Sequence, residues 1–180
     1  MKMRNIAWVV GAVALTGLLT GCMDIASQYT VKPTDLRTQI LPGNPYSNAI
    51  GMGEMSDKTG HSIFNDDAIG KGGVHLSMRE SLKSVGYLAP DGAAPSYVVD
   101  AALLESSHTG GLMIWSTWHV KVAMSITLRE ASSNAEVYKK TLRSEYEAKS
   151  KASSPEAKNH AVRLIVQEFL DDITSAVYGK

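Results

Sequence analysis

Between Trp118 and Arg129 the chain alternates without a break. Trp118, Val120, Val122, Met124, Ile126 and Leu128 are apolar, and His119, Lys121, Ala123, Ser125, Thr127 and Arg129 stand between them. A strand turns successive side chains to opposite faces, so this repeat requires a strand with one buried and one solvent-facing side. A strand of that kind needs paired neighbours and a layer to cover its apolar side. Both neighbours can be read. The polar cluster Ala131-Ser132-Ser133-Asn134 makes a hairpin loop, and Val137 to Ala148 returns with Tyr138, Leu142 and Tyr146 on one mixed face. Upstream, Tyr97 to Leu104 is a compact apolar run opened by Pro95, interrupted by Asp100 and ended by Glu105-Ser106-Ser107. Its length and the adjacent Val98 and Val99 predict a strand.

The covering layer is predicted by two helical stretches. Val74, Met78, Leu82 and Val85 recur at helical spacing, and Gly86 sits where a left-handed cap ends a helix. Gly70-Lys71-Gly72-Gly73 before it is glycine-rich, but its spacing fits a hinge rather than a phosphate loop. Ser153-Ser154-Pro155-Glu156 offers a capping serine, an early proline and a glutamate three places on. Val162, Val166, Phe169, Ile173 and Val177 then form an apolar stripe, and Gly179 ends it. Ala49 to Met55 alternates weakly and reads as a first strand, followed by the turn cluster Ser56-Asp57-Lys58-Thr59-Gly60. The expected fold is therefore α+β. It is a single four-stranded, largely antiparallel sheet in the order βαβββα, with both helices on one face.

This pattern has a familiar form. A turn of the Ser56-Asp57-Lys58 kind leads to a helix ending Leu82-Lys83-Ser84-Val85-Gly86-Tyr87, and then to the proline-preceded strand Tyr97-Val98-Val99-Asp100-Ala101. It resembles the envelope lipoproteins of the YajG type, the activators of penicillin-binding proteins and the periplasmic core of curli-secretion lipoproteins. TraT-type lipoproteins share a similar stretch, but their long glycine-rich apolar segment is missing here. The resemblance spans Ala49 to Tyr178. It implies a βαβββα domain that meets a partner protein and carries no catalytic residues across; no residue here matches the activators' contact pattern.

The N-terminus speaks for export. Met1-Lys2-Met3-Arg4 is basic, and an apolar run from Ile6 to Leu19 follows, interrupted only by Gly11, Thr16 and Gly17. That is a signal peptide pattern, too short for the roughly twenty apolar residues of a spanning helix. Leu19-Thr20-Gly21-Cys22 resembles the lipobox of bacterial lipoproteins. The resemblance implies recognition of Leu19, Thr20 and Gly21 by the lipoprotein signal peptidase, cleavage before Cys22, and a diacylglycerol thioether plus an N-acyl group on that cysteine. Cys22 is the one cysteine of the chain, so no internal disulfide can form. One acyl chain binds a membrane only reversibly, at about 0.8 kcal/mol per buried methylene, whereas two or more hold firmly. Met23 follows Cys22 and Asp24 comes one place later, which by enterobacterial sorting points to the outer membrane, facing the periplasm, rather than the inner one. The expected organisation is a signal peptide over 1–21, the lipidated cysteine and an extended tether over 22–47, broken by Pro33, Pro42 and Pro45, and a periplasmic domain over 48–180.

Composition and spacing exclude several function classes. The full chain of 180 residues has 18 basic and 18 acidic side chains, and losing Lys2 and Arg4 with the signal leaves it slightly acidic. No basic patch suited to nucleic acid is present. Lys139, Lys140 and Arg143 alternate with Glu136, Glu145 and Glu147 and read as a solvated strand face. His61, His75, His108, His119 and His160 are scattered singly, so no metal site and no cofactor are expected; the one pair to test is His108 with His119, which flank a hairpin. Asp66-Asp67 and Asp171-Asp172 lack calcium-loop spacing and read as structural or solvated. No nucleophile motif appears, and a non-enzymatic protein is expected.

One segment stands out as a surface. Leu112, Met113, Ile114, Trp115 and Trp118 follow the turn Gly110-Gly111 at the end of a hairpin. Trp115 and Trp118 are three apart, so strict alternation sends them to opposite faces unless a bulge intervenes. A tryptophan removes about 150 to 250 Å² from water when buried, on the order of 4 to 6 kcal/mol at about 25 cal/mol per Å². These residues are the candidate partner contact, filled by the domain itself, a second copy, an envelope protein or lipid. A domain holding an apolar ligand between sheet and helices is the alternative reading, and it requires an internal cavity.

Overall fold

The computed structural model describes residues 29–59, 71–109, 117–148 and 154–178. Within them lie β1 (Ile50–Asp57), α1 (Lys71–Ser84), β2 (Tyr97–Thr109), β3 (Trp118–Glu130), β4 (Glu136–Ala148) and α2 (Ser154–Tyr178). The strands form one mixed sheet in the order β1-β2-β3-β4, with β1 parallel to β2 and the other pairs antiparallel. The expected α+β fold is the observed one. Helix α1 makes the crossover between the parallel strands, and α1 and α2 pack against each other over one side of the sheet.

The period-two reading of β3 holds in space. Val120, Val122, Met124, Ile126 and Leu128 are all buried, and with Val99, Leu103 and Leu142 they form the floor of the core. Val74, Met78 and Leu82 of α1, and Val162, Val166, Phe169 and Ile173 of α2, close over it. Gly86 has the positive φ of 76° expected of its cap, and the Tyr87 N–H returns to the Leu82 carbonyl at 2.8 Å.

Strand β2 differs from the sequence expectation. It continues past Leu104 to Thr109, through the polar residues Glu105-Ser106-Ser107. The cause is a bulge. The register with β3 shifts between Leu103 and Glu105, so Leu104 is pushed outward and Ser106 takes the next inward position. A similar shift between Leu128 and Arg129 leaves Val137 unpaired in β4. Leu104 and Val137 are two of the large apolar side chains left exposed, and each sits where the ladder slips.

A third slip lies in β1, between Met52 and Met55. There Asp100 accepts the Glu54 N–H at 2.8 Å and the Arg129 Nε–H at 2.7 Å, tying the bulge to β3. Gly53 sits under this knot. A Cβ there would come within 2.6 Å of Val98 Cγ1 and 3.1 Å of the Val99 carbonyl, and closer still to the Asp100 carboxylate, so a side chain at this position must displace Val98 and Asp100.

Candidate functional site

The two sides of the sheet carry different chemistry. On the side away from the helices, Asp100, Ala102, Ser125 and Thr127, with Glu54, Ser56 and Lys58 of the β1 edge, line a shallow recess of about 250 Å³. The same side carries a set of cross-strand contacts between ionisable side chains. His119 meets Glu147 at 3.0 Å, Lys121 meets Glu145 at 3.0 Å, Arg143 meets Glu105 at 3.5 Å and Arg129 meets Asp100 at 2.7 Å. No described element covers this side.

A second recess, of about 480 Å³, lies at the end of the sheet and is lined by Thr109, His119, Val120, Lys121, Glu145, Tyr146 and Glu147. Thr109 and Trp118 bracket the connection that carries Leu112, Met113, Ile114 and Trp115, and those four residues lie outside the described residues. Trp118 opens β3, its backbone opposite Ala148. Leu19, Thr20, Gly21 and Cys22 also lie outside, as do His61, Asp66, Asp67, Ser153 and Gly179.

The register decides the histidine pair. His108 stands opposite Val120 and His119 opposite Thr109. Residues opposite one another share a face, so the two histidines point to opposite sides of the sheet and do not meet. His160 of α2 lies with its ring centroid 4.1 Å from that of Tyr146. Burial, and secondarily the Arg163 charge, hold its pKa below the usual value. Among the described residues no three potential metal ligands cluster.

The adjacent aspartates of α2 face different ways. Asp172 accepts the Tyr138 hydroxyl at 2.9 Å and Lys140 Nζ at 3.0 Å. Burial, with this carboxylate beside it, pushes the Tyr138 hydroxyl pKa far up, and the hydrogen bond to Asp172 is the main cause of the raised Lys140 pKa. The basic cluster of β4 is thereby split: Lys140 turns to α2, while Lys139 pairs with Glu136 at 2.8 Å. Asp171 turns the other way and accepts the Arg37 N–H at 2.7 Å.

That last contact belongs to a feature the sequence reading did not anticipate. The described part of the segment expected to be a tether, from Tyr29 to Ser47, lies along both helices as a strap. Val31 is fully buried in the core, and Leu36, Ile40 and Tyr46 pack against it. The Val31 N–H reaches Ser81 Oγ at 3.0 Å, and Arg163 Nη2 binds the Asp35 carboxylate at 2.6 Å. Gln167 donates to the Asp35 carbonyl at 2.5 Å, and the Leu41 N–H donates to the Tyr178 hydroxyl at 2.8 Å. Asn44 Nδ2 donates to the buried Tyr87 hydroxyl at 2.8 Å. Thr174 gives its own proton to the Leu170 carbonyl, so at 2.9 Å it is Tyr87 that donates to Thr174. The one sequence signal for this arrangement was Val31, Leu36 and Ile40, apolar side chains placed among polar ones.

Among the described residues no helix is long and apolar enough to cross a membrane. No family model and no curated protein matches the sequence. Solved structures do match the fold. A Caulobacter crescentus protein described as a candidate lipoprotein aligns with a TM-score of 0.51 at 12% identity, over 75% of this chain and 94% of its own. The hypothetical protein CT253 of Chlamydia trachomatis aligns at 0.52 and 12% identity, over 73% and 98%. PelC of Paraburkholderia phytofirmans, a dodecamer, aligns at 0.51 and 13%, over 74% and 91%. At such identities the likeness establishes a shared fold.

Proposed function

We propose that this chain is an envelope lipoprotein, held at the periplasmic side of the outer membrane by acyl chains on Cys22, whose domain is a non-enzymatic protein-interaction module. The observation that carries this reading is the contrast between the sheet's two sides. Among the described residues the helix side is packed to near-zero exposure, which speaks against the apolar ligand of the alternative reading. The other side is four strands wide, bears small side chains within a rim of charge, and has no described cover. A partner's surface can lie flat on it, and the candidate contact residues Leu112, Met113, Ile114, Trp115 and Trp118 belong to the chain segment that joins Thr109 to β3.

The partner class follows the resemblance to YajG-type lipoproteins and penicillin-binding-protein activators: a component of envelope assembly, or a second copy of this chain. That PelC, of similar fold, is a dodecamer supports self-association as one form of the same reading. A photoreactive residue at Thr127 in the native bacterium, followed by mass spectrometry, tests it. Capture of one defined envelope protein, or of a second copy, is expected. Membrane-bound protein that yields no protein adduct from this position would contradict it. If serine at Leu112, Met113 and Trp115 leaves the capture unchanged, that segment is not part of the protein contact.

A further inference from the structure

The course of the strap determines how the domain stands on its anchor. The strap runs parallel to α2: Thr30 meets Arg163, Asp35 meets Gln167, Arg37 meets Asp171 and Leu41 meets Tyr178. Followed backwards, from Leu41 to Thr30, the chain therefore moves towards the N-terminal end of α2. The direction of α2 over the sheet is set by its contacts with β4. His160 stacks on Tyr146, whereas Asp172 meets Tyr138 and Lys140. The N-terminal end of α2 thus lies where β2 ends at Thr109, β3 begins beside His119 and β4 ends at Ala148.

Tyr29 is itself held midway along the helices, its carbonyl accepting from Ser77 Oγ at 3.0 Å. Seven residue steps separate it from Cys22, a reach of about 25 Å at full extension. From the level of Arg163 to the start of α2 at Ser154 is about 14 Å of helix. To Tyr178, at the other end, it is about 22 Å, and the chain would have to double back along its own strap to get there. A free tether over 22–47 would reach about 85 Å and impose no orientation.

We infer that the domain stands on the lipid surface by its Thr109, His119 and Ala148 end, close to the bilayer, with the 131–134 hairpin turn pointing away. This rests on lipidation of Cys22. It places the open side of the sheet upright beside the membrane, where a partner can approach it laterally. The connection carrying Leu112 to Trp115 leaves from the same, membrane-facing end.

The test uses the full-length protein purified from membranes and reconstituted in phosphatidylcholine and phosphatidylglycerol vesicles with a headgroup-attached nitroxide quencher. A fluorophore is attached through H119C in one preparation and S133C in another; an acylated Cys22 does not react. Several-fold stronger quenching at position 119 than at 133 is expected. Equal or reversed quenching, in protein whose intact mass shows an acylated Cys22, would overturn the orientation. A mass without acyl groups on Cys22 would instead overturn the lipoprotein reading beneath it. Releasing the strap with Val31→Asp and Arg163→Ala, checked for folding by circular dichroism, is expected to collapse the difference. A difference that survives would show that the strap is not its cause.

Discussion

The helix-covered side of the sheet and its open side are made by the same strands, yet they tolerate change very differently. Leu128 and its neighbour Thr127 stand one residue apart in β3, the first fully buried and the second half-buried on the recess floor. The first face is closed twice, by two helices and by the strap along them, and it holds internal pairs between the Val31 N–H and Ser81, the Arg37 N–H and Asp171, and Tyr87 and Thr174. The second is finished with small side chains and, apart from the part-buried Arg129–Asp100 pair, with exposed contacts such as Lys121–Glu145, which contribute little to folding. Stability resides in the covered face, and among the described residues no element packs on the other face.

The largest test of that contrast is a matched pair of substitutions. Phe169→Ala, beneath the helix layer, is expected to cost about 3 to 5 kcal/mol, while Thr127→Ala on the open face stays within about 0.5 kcal/mol. Urea denaturation of the two variants against the parent measures both, and comparable losses would erase the distinction. The strap comes next. Ser81→Ala strands the buried Val31 N–H and should lose about 1 to 3 kcal/mol, read from the same urea midpoints.

Gly53→Ala sharpens the comparison, because it acts on the open face where Asp100 ties the β1 bulge to β3. A cost of about 1 to 3 kcal/mol is expected from the clash with Val98 and Asp100, partly relieved when Asp100→Ala is added. A smaller effect is carried by pH. Burial makes folded His160 hold its proton less tightly than the unfolded chain does. Above about 6.5 this contribution is level; as pH falls below about 6.5 the unfolded state is protonated first, so stability declines until the depressed folded pKa is passed. His160→Leu should flatten the difference between urea midpoints at about pH 7.5 and about pH 5.5. Smallest of all, a double-mutant cycle on Lys121 and Glu145 should return less than about 1 kcal/mol of coupling.

What was legible in the sequence follows the same divide. The inward residues of β3, the stripe of α2 and the Gly86 cap were readable because each repeats a local geometric period or occupies a position with a fixed backbone demand. The continuation of β2 beyond Leu104 was not, since a bulge changes the phase of the alternation and hands a core position to Ser106. The strap was missed for a different reason. It has no period of its own; its order comes from Arg163, Gln167 and Asp171, side chains more than a hundred residues further along the chain. On the candidate surface, Asp100 was legible only as an interruption of a strand, while its role in holding the β1 bulge depends on Glu54 and Arg129 arriving from two other strands.

The sealed face and the proposed stance on the membrane both depend on the strap being part of the fold. Amide hydrogen exchange of the full-length protein addresses this directly, through peptides containing Val31, Arg37 and Leu41. Protection approaching that of α2, reduced to background by Ser81→Ala together with Arg163→Ala, is the predicted result. Exchange in these peptides as fast as in a free chain would show that residues 29–47 are a loose tether, and would remove both the sealed face and the fixed stance on the membrane.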